Sequence, residues 1–127
     1  MEQKIRIFVN AKDTVFYEAV TWFKNYGLTV EIVKFSETQQ PKHSDIIHML
    51  CLTENGFPDI VKRSQLYKIE ELAFNQAVNY IVKHPKIIKN LFFVTHNKFM
   101  AGFDAKEIRR FLPRARKRLT LEILTAY

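Results

Sequence analysis

Two segments of the chain alternate polar and apolar residues with a period of two. They are Lys4–Val9 and Leu28–Phe35, and both are predicted to be strands. Thr14–Tyr26, between them, places its large apolar residues at helical spacing, with Asp13 as a candidate N-cap and Gly27 as a candidate stop. Because a connection of this length normally joins parallel strands, the pattern predicts a strand–helix–strand unit.

The middle of the chain is predicted to be helical. Ser44–Leu52 fits one helix that stops at Glu54-Asn55-Gly56, where a left-handed backbone is expected at Gly56. Ile60–Val82 fits one or two further helices. The apolar residues of the first helix are Ile46, Ile47, Met49 and Leu50, and the predicted core residues of the later helices are Leu66, Leu72, Phe74, Val78 and Ile81.

The last third of the chain begins with a predicted hairpin. Leu91–Thr95 and Phe99–Ala101 fit two antiparallel strands, and a final helix is expected from the candidate N-cap Asp104, with a break at Pro113 before it resumes toward Tyr127. The order of the elements predicts an α/β fold, with a mixed sheet of about four strands in thioredoxin-like order and a helical insertion.

The composition is that of one folded unit. A chain of 127 residues with 47% hydrophobic residues can bury a core without disulfides or metal. We expect one domain over residues 1–127, with a thioredoxin-like core at about 1–40 and 85–127 and the insertion at about 41–84. No stretch is apolar enough for a membrane span, and Lys4 and Arg6 interrupt the apolar run that a signal peptide needs. A cytoplasmic protein without membrane association is predicted.

The positive charge of the chain is concentrated near its C-terminal end. The formal net charge is +7, and without six cations between positions 109 and 118 the remaining fourteen Lys and Arg nearly balance thirteen acids. Such a patch attracts phosphate or an acidic protein surface over roughly 8 Å at physiological salt, although a solvated helix face has the same composition. The patch consists of Arg109, Arg110, Arg114, Arg116, Lys117 and Arg118.

The loop after the first predicted strand has no cysteine, although a thioredoxin-like redox protein would carry one there. A redox cysteine of that fold follows the first strand, where the next helix's N-terminus lowers the thiol pKa. Here the loop Asn10–Phe16 contains Asp13 and no cysteine. The single cysteine, Cys51, lies in the apolar run Met49–Leu52 and is predicted to be a buried structural residue.

Other catalytic and cofactor patterns are also missing from the sequence. The four histidines lack metal-ligand spacing, the three glycines form no phosphate-binding loop, and no serine has a Gly-x-Ser-x-Gly setting. We therefore expect no cofactor and no metal. The histidines are His43, His48, His84 and His96.

The run Asp104–Arg116 (DAKEIRRFLPRAR) resembles the C-terminal signature of the Spx regulators and of the arsenate-reductase class related to them. The segment His84–Ile88 is similar to their His-Pro-x-Leu-Leu segment. Glu54-Asn55-Gly56, followed by Arg63-Ser64, resembles their acidic-Gly turn and Arg-Ser pair, and Trp22 matches a Trp of the family. The resemblance extends over nearly the whole chain and implies the fold already predicted from the pattern.

The resemblance also implies that redox and reductase chemistry have been lost. Asp13 and Phe16 occupy the positions where most members carry the two cysteines of a Cys-x-x-Cys pair. Arsenate reduction in the family also uses an arginine and a neighbouring proline after the His-Pro segment, where this chain has Asn90 and Leu91. We expect a protein that is not an enzyme.

As the resemblance implies, the partner is the C-terminal domain of the RNA polymerase α subunit. In Spx regulators the glycine of the acidic turn lies at that interface, and Gly56 occupies the matching position, with Asn55 and Arg63 as further candidate contacts. A glycine suits such a place because it lets another backbone approach closely, although a helix C-cap would also explain it. We expect a transcription regulator that is monomeric alone, with promoter DNA contact inside the polymerase complex.

Two other functions stay open at this point. One is an enzyme of the same fold, either arsenate-reductase-like or glutathione-dependent. The other is autonomous DNA binding through the cations of Arg109–Arg118, for which about six phosphate contacts would give a log–log salt slope of about −5.

Overall fold

Four strands and three α-helices make up the described part of the chain in the computed structural model, which covers residues 4–104 and 106–112. Short 3₁₀ turns lie at Phe57–Asp59, Arg63–Lys68, Pro85–Ile87 and Glu107–Phe111. In chain order the main elements are β1 (Ile5–Asn10), α1 (Phe16–Asn25), β2 (Val30–Phe35), α2 (His43–Leu52), α3 (Phe74–Lys83), β3 (Leu91–Val94) and β4 (Phe99–Ala101).

The strands form one mixed sheet in the order β2-β1-β3-β4. Strand β1 pairs with β2 in parallel, with Ile7 opposite Ile32, and with β3 in antiparallel, with Ile7 opposite Phe93. Strands β3 and β4 form the antiparallel hairpin. The predicted α/β fold with a mixed four-stranded sheet and a helical insertion is confirmed, since α2 and α3 lie between β2 and β3 along the chain.

Both faces of the central strands are buried. Successive side chains of a strand point to opposite faces, so Ile7 and Phe93 meet α1 on one face while Phe8 and Phe92 meet α2 and α3 on the other. Helix α1 contributes Phe23 to its side of the core. The insertion therefore covers one face of the central strands.

The residues that begin and end α1 lie close to where the sequence predicts them. Helix α1 begins at Phe16 rather than at Thr14, and Asp13 Oδ1 accepts the backbone N–H of Val15 at 2.8 Å, just before the helix. Gly27 has a φ of 69°, which confirms it as the stop. The N-cap position is Val15, two residues later than the predicted Asp13, and the Asp13 carboxylate still accepts a free amide at the start of the helix.

Three residues predicted to lie in the core are exposed instead. Ile47 is 39% exposed, Leu72 37% and Phe74 50%. Phe74 lies on the same stripe of α3 as Val78, but it is the first residue of the helix and extends past the core. Its ring packs on Phe57, with 5.8 Å between ring centroids. Helical periodicity predicts the face of the helix on which a side chain lies. It does not predict whether the rest of the protein extends far enough to cover that end of the helix.

Helix α2 is fixed to the sheet by an ion pair with the central strand. Arg6 Nη1 lies 2.9 Å from Asp45 Oδ1, and Nη2 donates a second, longer hydrogen bond of 3.5 Å to Oδ2. The guanidinium also lies over the ring of Phe8, 4.7 Å from its centroid. Ile46 and Met49 add buried contacts beside this pair. One polar clamp and two apolar side chains therefore set where α2 lies.

Replacing Asp45 should loosen this attachment. We expect Asp45→Asn to lower the free energy of unfolding by about 1–2 kcal/mol, because it removes a charge-assisted bond to a partly buried guanidinium. Urea unfolding followed by circular dichroism measures this. Glu31→Gln is the matched variant: Glu31 lies 3.8 Å from Arg6 Nε on a more exposed surface, so its loss should matter less. Equal midpoints for Asp45→Asn and the parent chain would contradict the clamp.

Candidate functional site

The turn after α2 is closed by its own side chains. The hydroxyl of Thr53 donates to the carbonyl of Leu50 at 2.8 Å and accepts the N–H of Gly56 at 3.0 Å. The backbone N–H and the side-chain amide of Asn55 donate to the two carboxylate oxygens of Asp59, at 3.0 and 3.2 Å. These bonds hold residues 53–59 in one conformation, which we call the Gly56 turn.

The backbone conformation of Gly56 favours a glycine at this position. Its φ of 75° and ψ of −134° lie where side chains with a Cβ are strained, so the predicted left-handed backbone is confirmed. Among the described residues, no atom beyond its chain neighbours lies within 4 Å of where a Cβ would be, so the described surface above it is open. The prediction that Gly56 caps α2 is wrong, because that helix ends at Leu52 and Gly56 precedes the turn Phe57–Asp59 instead.

Cys51 lies on the exposed side of α2, close in sequence to this turn. The prediction of a buried cysteine is therefore wrong. Ile46 and Met49 face the sheet, and two residues beyond Met49 a helix has rotated by about 200°, so the side chain turns to the surface. Ile47, one turn earlier, shares its side of the helix. The apolar run around Cys51 therefore led to a wrong prediction of burial, because one face of α2 is exposed.

The other candidate contact, Arg63, lies in the neighbouring turn. It begins the turn Arg63–Lys68, which packs against Phe57–Asp59. Its side chain is exposed and has no hydrogen bond or ion pair with another described residue. The structure thus brings Asn55 and Gly56 together in one turn and places Arg63 in the next one.

The loop after β1 contains Asp13 and Phe16, the two positions that the resemblance aligns with a Cys-x-x-Cys pair. Its Asp13 carboxylate already accepts a backbone amide, and Phe16 is buried in the core under α1. Beside the loop is an opening of about 440 Å³, whose lining includes Lys12, Lys62 and Lys86. No thiol lines this opening. Neither of the two positions, Asp13 or Phe16, can supply the nucleophile that thiol chemistry needs.

In the basic patch, the structure describes Arg109 and Arg110, and the other four cations lie outside the described residues. Arg110 Nη2 donates to the carbonyl of Phe99 at 3.3 Å, and its Nε lies 3.1 Å from a carboxylate oxygen of Glu107. Lys98 Nζ donates to the carbonyl of Arg110 at 2.7 Å. Arg110 is therefore a brace between β4 and the last turn, whereas Arg109 is exposed.

The turn that carries these arginines is capped by Asp104. Its Oδ1 accepts the N–H groups of Lys106 at 2.8 Å and Glu107 at 3.2 Å, as predicted for an N-cap. These backbone hydrogen bonds hold the pKa of Asp104 below its usual range. Phe111 and Leu112 are buried, so the turn is fixed against the sheet while its cations face outward.

Two of the four histidines, His48 and His84, make contacts within the fold. His48 Nε2 donates to the carbonyl of Thr95 at 3.0 Å, which ties α2 to the end of β3, and His84 stacks on Tyr80. Across residues 4–104 and 106–112, no three His, Cys, Asp or Glu side chains are grouped as a metal would require. Within the same ranges, every helix is too short or too polar to span a bilayer.

Comparison with known proteins places the chain near one group of regulators. No protein-family model matches it. It is 26% identical over 125 residues to the global transcriptional regulator Spx of Streptococcus pneumoniae, covering 93% of this chain and 92% of that protein. A second relative, the global transcriptional regulator Spx 1 of Lactococcus lactis, is 26% identical over 121 residues, covering 90% and 93%. The chain is a divergent relative of the Spx regulators.

The fold of this Spx relative is shared with a solved reductase. Arsenate reductase from Vibrio cholerae superposes with a TM-score of 0.66 at 20% identity, covering 88% of this chain and all of that one. The shared architecture is the thioredoxin-like sheet with its helical insertion. Within it, this Spx relative has a carboxylate at position 13 and a buried ring at position 16.

The sequence pattern missed Ile47, Cys51 and Phe74 as surface residues. The apolar character of each one favoured the core. The exposure of Cys51 could have been predicted only from its position two residues after Met49, which places the two side chains on opposite sides of one helix. No comparable signal exists for Phe74, whose exposure depends on where the sheet ends.

The bracing role of Arg110 is testable with its neighbour as the control. We expect Arg110→Gln to lower the free energy of unfolding by about 0.5–1.5 kcal/mol, because its bonds to the edge strand are lost. Arg109→Gln removes the same charge without those bonds and should leave stability unchanged. Urea unfolding of both variants distinguishes them. Equal losses would show that Arg110 acts only through its charge.

The exposed thiol gives a second test. Cys51 in the folded protein should react fully with a thiol reagent such as dithiobis(nitrobenzoate), at a rate within about tenfold of the rate in urea, because no local unfolding is needed. The absorbance change should correspond to one thiol per chain, since the sequence has one cysteine. A thiol that reacts only after denaturant is added would contradict its placement.

Proposed function

We propose that this protein is a Spx-type transcription regulator that docks on the C-terminal domain of the RNA polymerase α subunit through the Gly56 turn. It acts in the cytoplasm as a monomer, and it has no thiol switch in the loop after β1. The similarity to Spx regulators over nearly the full chain supports the regulatory role. The open space above Gly56, on a turn held by its own hydrogen bonds, is the observation that carries the docking site.

The surface of the turn suits a close backbone approach. Gly56 leaves the partner unobstructed, and the Asn55–Asp59 bonds keep the turn from rearranging when it is covered. Little conformational entropy is then lost on binding, which favours affinity from a small contact area. Ile47 on the adjacent helix adds an exposed apolar side chain. Arg63, on the next turn, supplies a free cation for the rim of the contact.

A role as an enzyme is less well supported. The solved arsenate reductase shares the fold, but in this chain the opening beside Asp13 has no thiol, and Cys51 lies on α2 rather than in that loop. Glutathione-coupled arsenate turnover by the purified protein would contradict the proposal that it is a regulator without reductase activity.

The basic residues take an auxiliary part in the proposal. Arg109 is exposed on a turn anchored by Phe111, so it can meet promoter phosphate or an acidic polymerase surface once the protein is docked. Arg110 is held by Phe99 and Glu107 and is less available. DNA binding is therefore expected within the polymerase complex rather than by the protein alone.

Gly56→Arg should abolish docking, and Gly102→Arg is its matched control. Gly102 has a φ of 78° and open space at its Cβ position, so the two arginines impose the same backbone strain in different places. We expect Gly56→Arg to weaken binding to the purified α C-terminal domain at least about tenfold and Gly102→Arg to change it less than about twofold. Surface plasmon resonance measures both. Equal losses, or no binding by the parent protein, would contradict the docking site.

A further inference from the structure

The two outer strands of the sheet differ in how open their free edges are. Strand β4 is only three residues long, and Arg110 Nη2 donates to the carbonyl of Phe99, so part of that edge is covered. Strand β2, at the other edge, is six residues long and has the sequence VEIVKF. A long open edge is a template for a further strand, and proteins normally shorten or cover such edges. In the described sheet, β2 is therefore the edge that is suited to receive another strand.

The backbone of β2 leaves every second residue without a partner strand. The carbonyl of Phe35 accepts the N–H of Ala11 at 3.0 Å, so Phe35 faces β1. The direction of the backbone groups alternates along a strand, so residues 31 and 33 also face β1 and the even-numbered residues face away from it. No hydrogen bond joins these outward groups to another described residue. They are the N–H and C=O groups of Val30, Ile32 and Lys34.

Two side chains give this edge its chemical character. Ile32, in the middle of the strand, is 40% exposed. Lys34 lies on the same face of the sheet, is exposed, and makes no ion pair with another described residue. Glu31, on the opposite face, is already paired with Lys4, whose Nζ lies 2.6 Å from its carboxylate. The unbalanced charge at the edge is therefore the positive charge of Lys34.

A second copy of the chain does not match this edge. If two copies of β2 paired in antiparallel orientation about a twofold axis, residues opposite each other would lie on the same face of the joined sheet. Within the strand, Lys34 could then meet only Val30, Ile32 or another Lys34. Opposite charges facing each other across two strands stabilise a sheet, and like charges destabilise it. An acidic residue opposite Lys34 must therefore come from a different protein.

We infer that the free edge of β2 binds an extended segment of another protein by strand addition. The segment has an apolar side chain opposite Ile32 and an Asp or Glu, two residues away, opposite Lys34. The outward backbone groups of β2 supply the affinity, and these two side chains select the sequence.

This surface is separate from the Gly56 turn. Asn55 and Asp59 of that turn line an opening together with Phe99 and Ala101 of β4, at the opposite edge of the sheet. A partner on β2 and a partner on the Gly56 turn can therefore be bound together. The inference goes beyond the proposed function and does not rest on it.

The first test uses synthetic peptides and the amide groups of β2 itself. The probes are acetylated seven-residue threonine peptides with one Ile and with Asp placed two residues before or after it; a second set has Lys in place of Asp. We expect the Asp peptides to slow amide hydrogen exchange at Val30, Ile32 and Lys34 at least about tenfold under saturating peptide. The amides of Val33 and Phe35 face β1 and should be unaffected. The Lys peptides should bind about fivefold more weakly.

The second test uses two variants at one position. Ile32→Pro removes an outward N–H without breaking a bond to β1, as proline at a sheet edge does, whereas Ile32→Thr keeps the N–H and removes the apolar contact. We expect Ile32→Pro to weaken binding of the Asp peptides at least about tenfold and Ile32→Thr to weaken it about two- to threefold. Thermal unfolding shows whether each variant is folded. Lys34→Glu, which leaves the backbone intact, should reverse the preference and favour the Lys peptides.

Each contrary result overturns a stated part of the inference. If no peptide of either set binds, strand addition at β2 is overturned. Equal losses for folded Ile32→Pro and Ile32→Thr would overturn backbone pairing, and an unchanged preference in Lys34→Glu would overturn the acidic partner. Self-association of the parent chain that Ile32→Pro abolishes would assign the edge to a second copy instead. Docking at the Gly56 turn is judged separately, since Ile32→Pro and the parent chain should bind the α C-terminal domain equally.

Discussion

The attachment of α2 to the sheet is the constraint on which the rest of the structure depends. Both faces of β1 and β3 are apolar, so the insertion must cover one of them, and α2 does so with Ile46 and Met49. The ion pair between Arg6 and Asp45 fixes where the helix begins, and the bond from His48 to the end of β3 fixes its direction. Because α2 cannot slide, the turn that follows it is held in one place relative to the sheet.

This arrangement separates the loop after β1 from the Gly56 turn. The loop after β1 holds a carboxylate that accepts a backbone amide, and the residue three positions on is a core ring. The Gly56 turn is closed by Thr53 and Asp59 and needs nothing from that loop. The conformation of the Gly56 turn therefore does not depend on which residues stand in that loop. The loop after β1 has no thiol, but the protein surface has one, because Cys51 is exposed on α2.

Elements and topology were predictable because their signals are local. Alternation in Lys4–Val9, the glycine after α1 and the hairpin near Asn97 each reflect the geometry of a few neighbouring residues, and the sheet followed from their order. Exposure near the candidate site was not predictable in this way. Phe74 has the correct helical phase but lies beyond the covered surface, and Cys51 shares an apolar run with Met49 but faces the opposite way. Arg110 was predicted from composition as part of a basic patch. Its hydrogen bond to Phe99, eleven residues earlier in the chain, depends on the tertiary structure and could not be predicted in that way.

The most direct test of docking at the Gly56 turn uses the native thiol next to it. Alkylation of Cys51 is followed with and without the α C-terminal domain at concentrations well above its dissociation constant. We predict that the bound domain slows the reaction at least about tenfold, because the exposed Cys51 lies two residues before Thr53, where the turn begins. A domain that binds and leaves the alkylation rate unchanged would contradict docking at this turn.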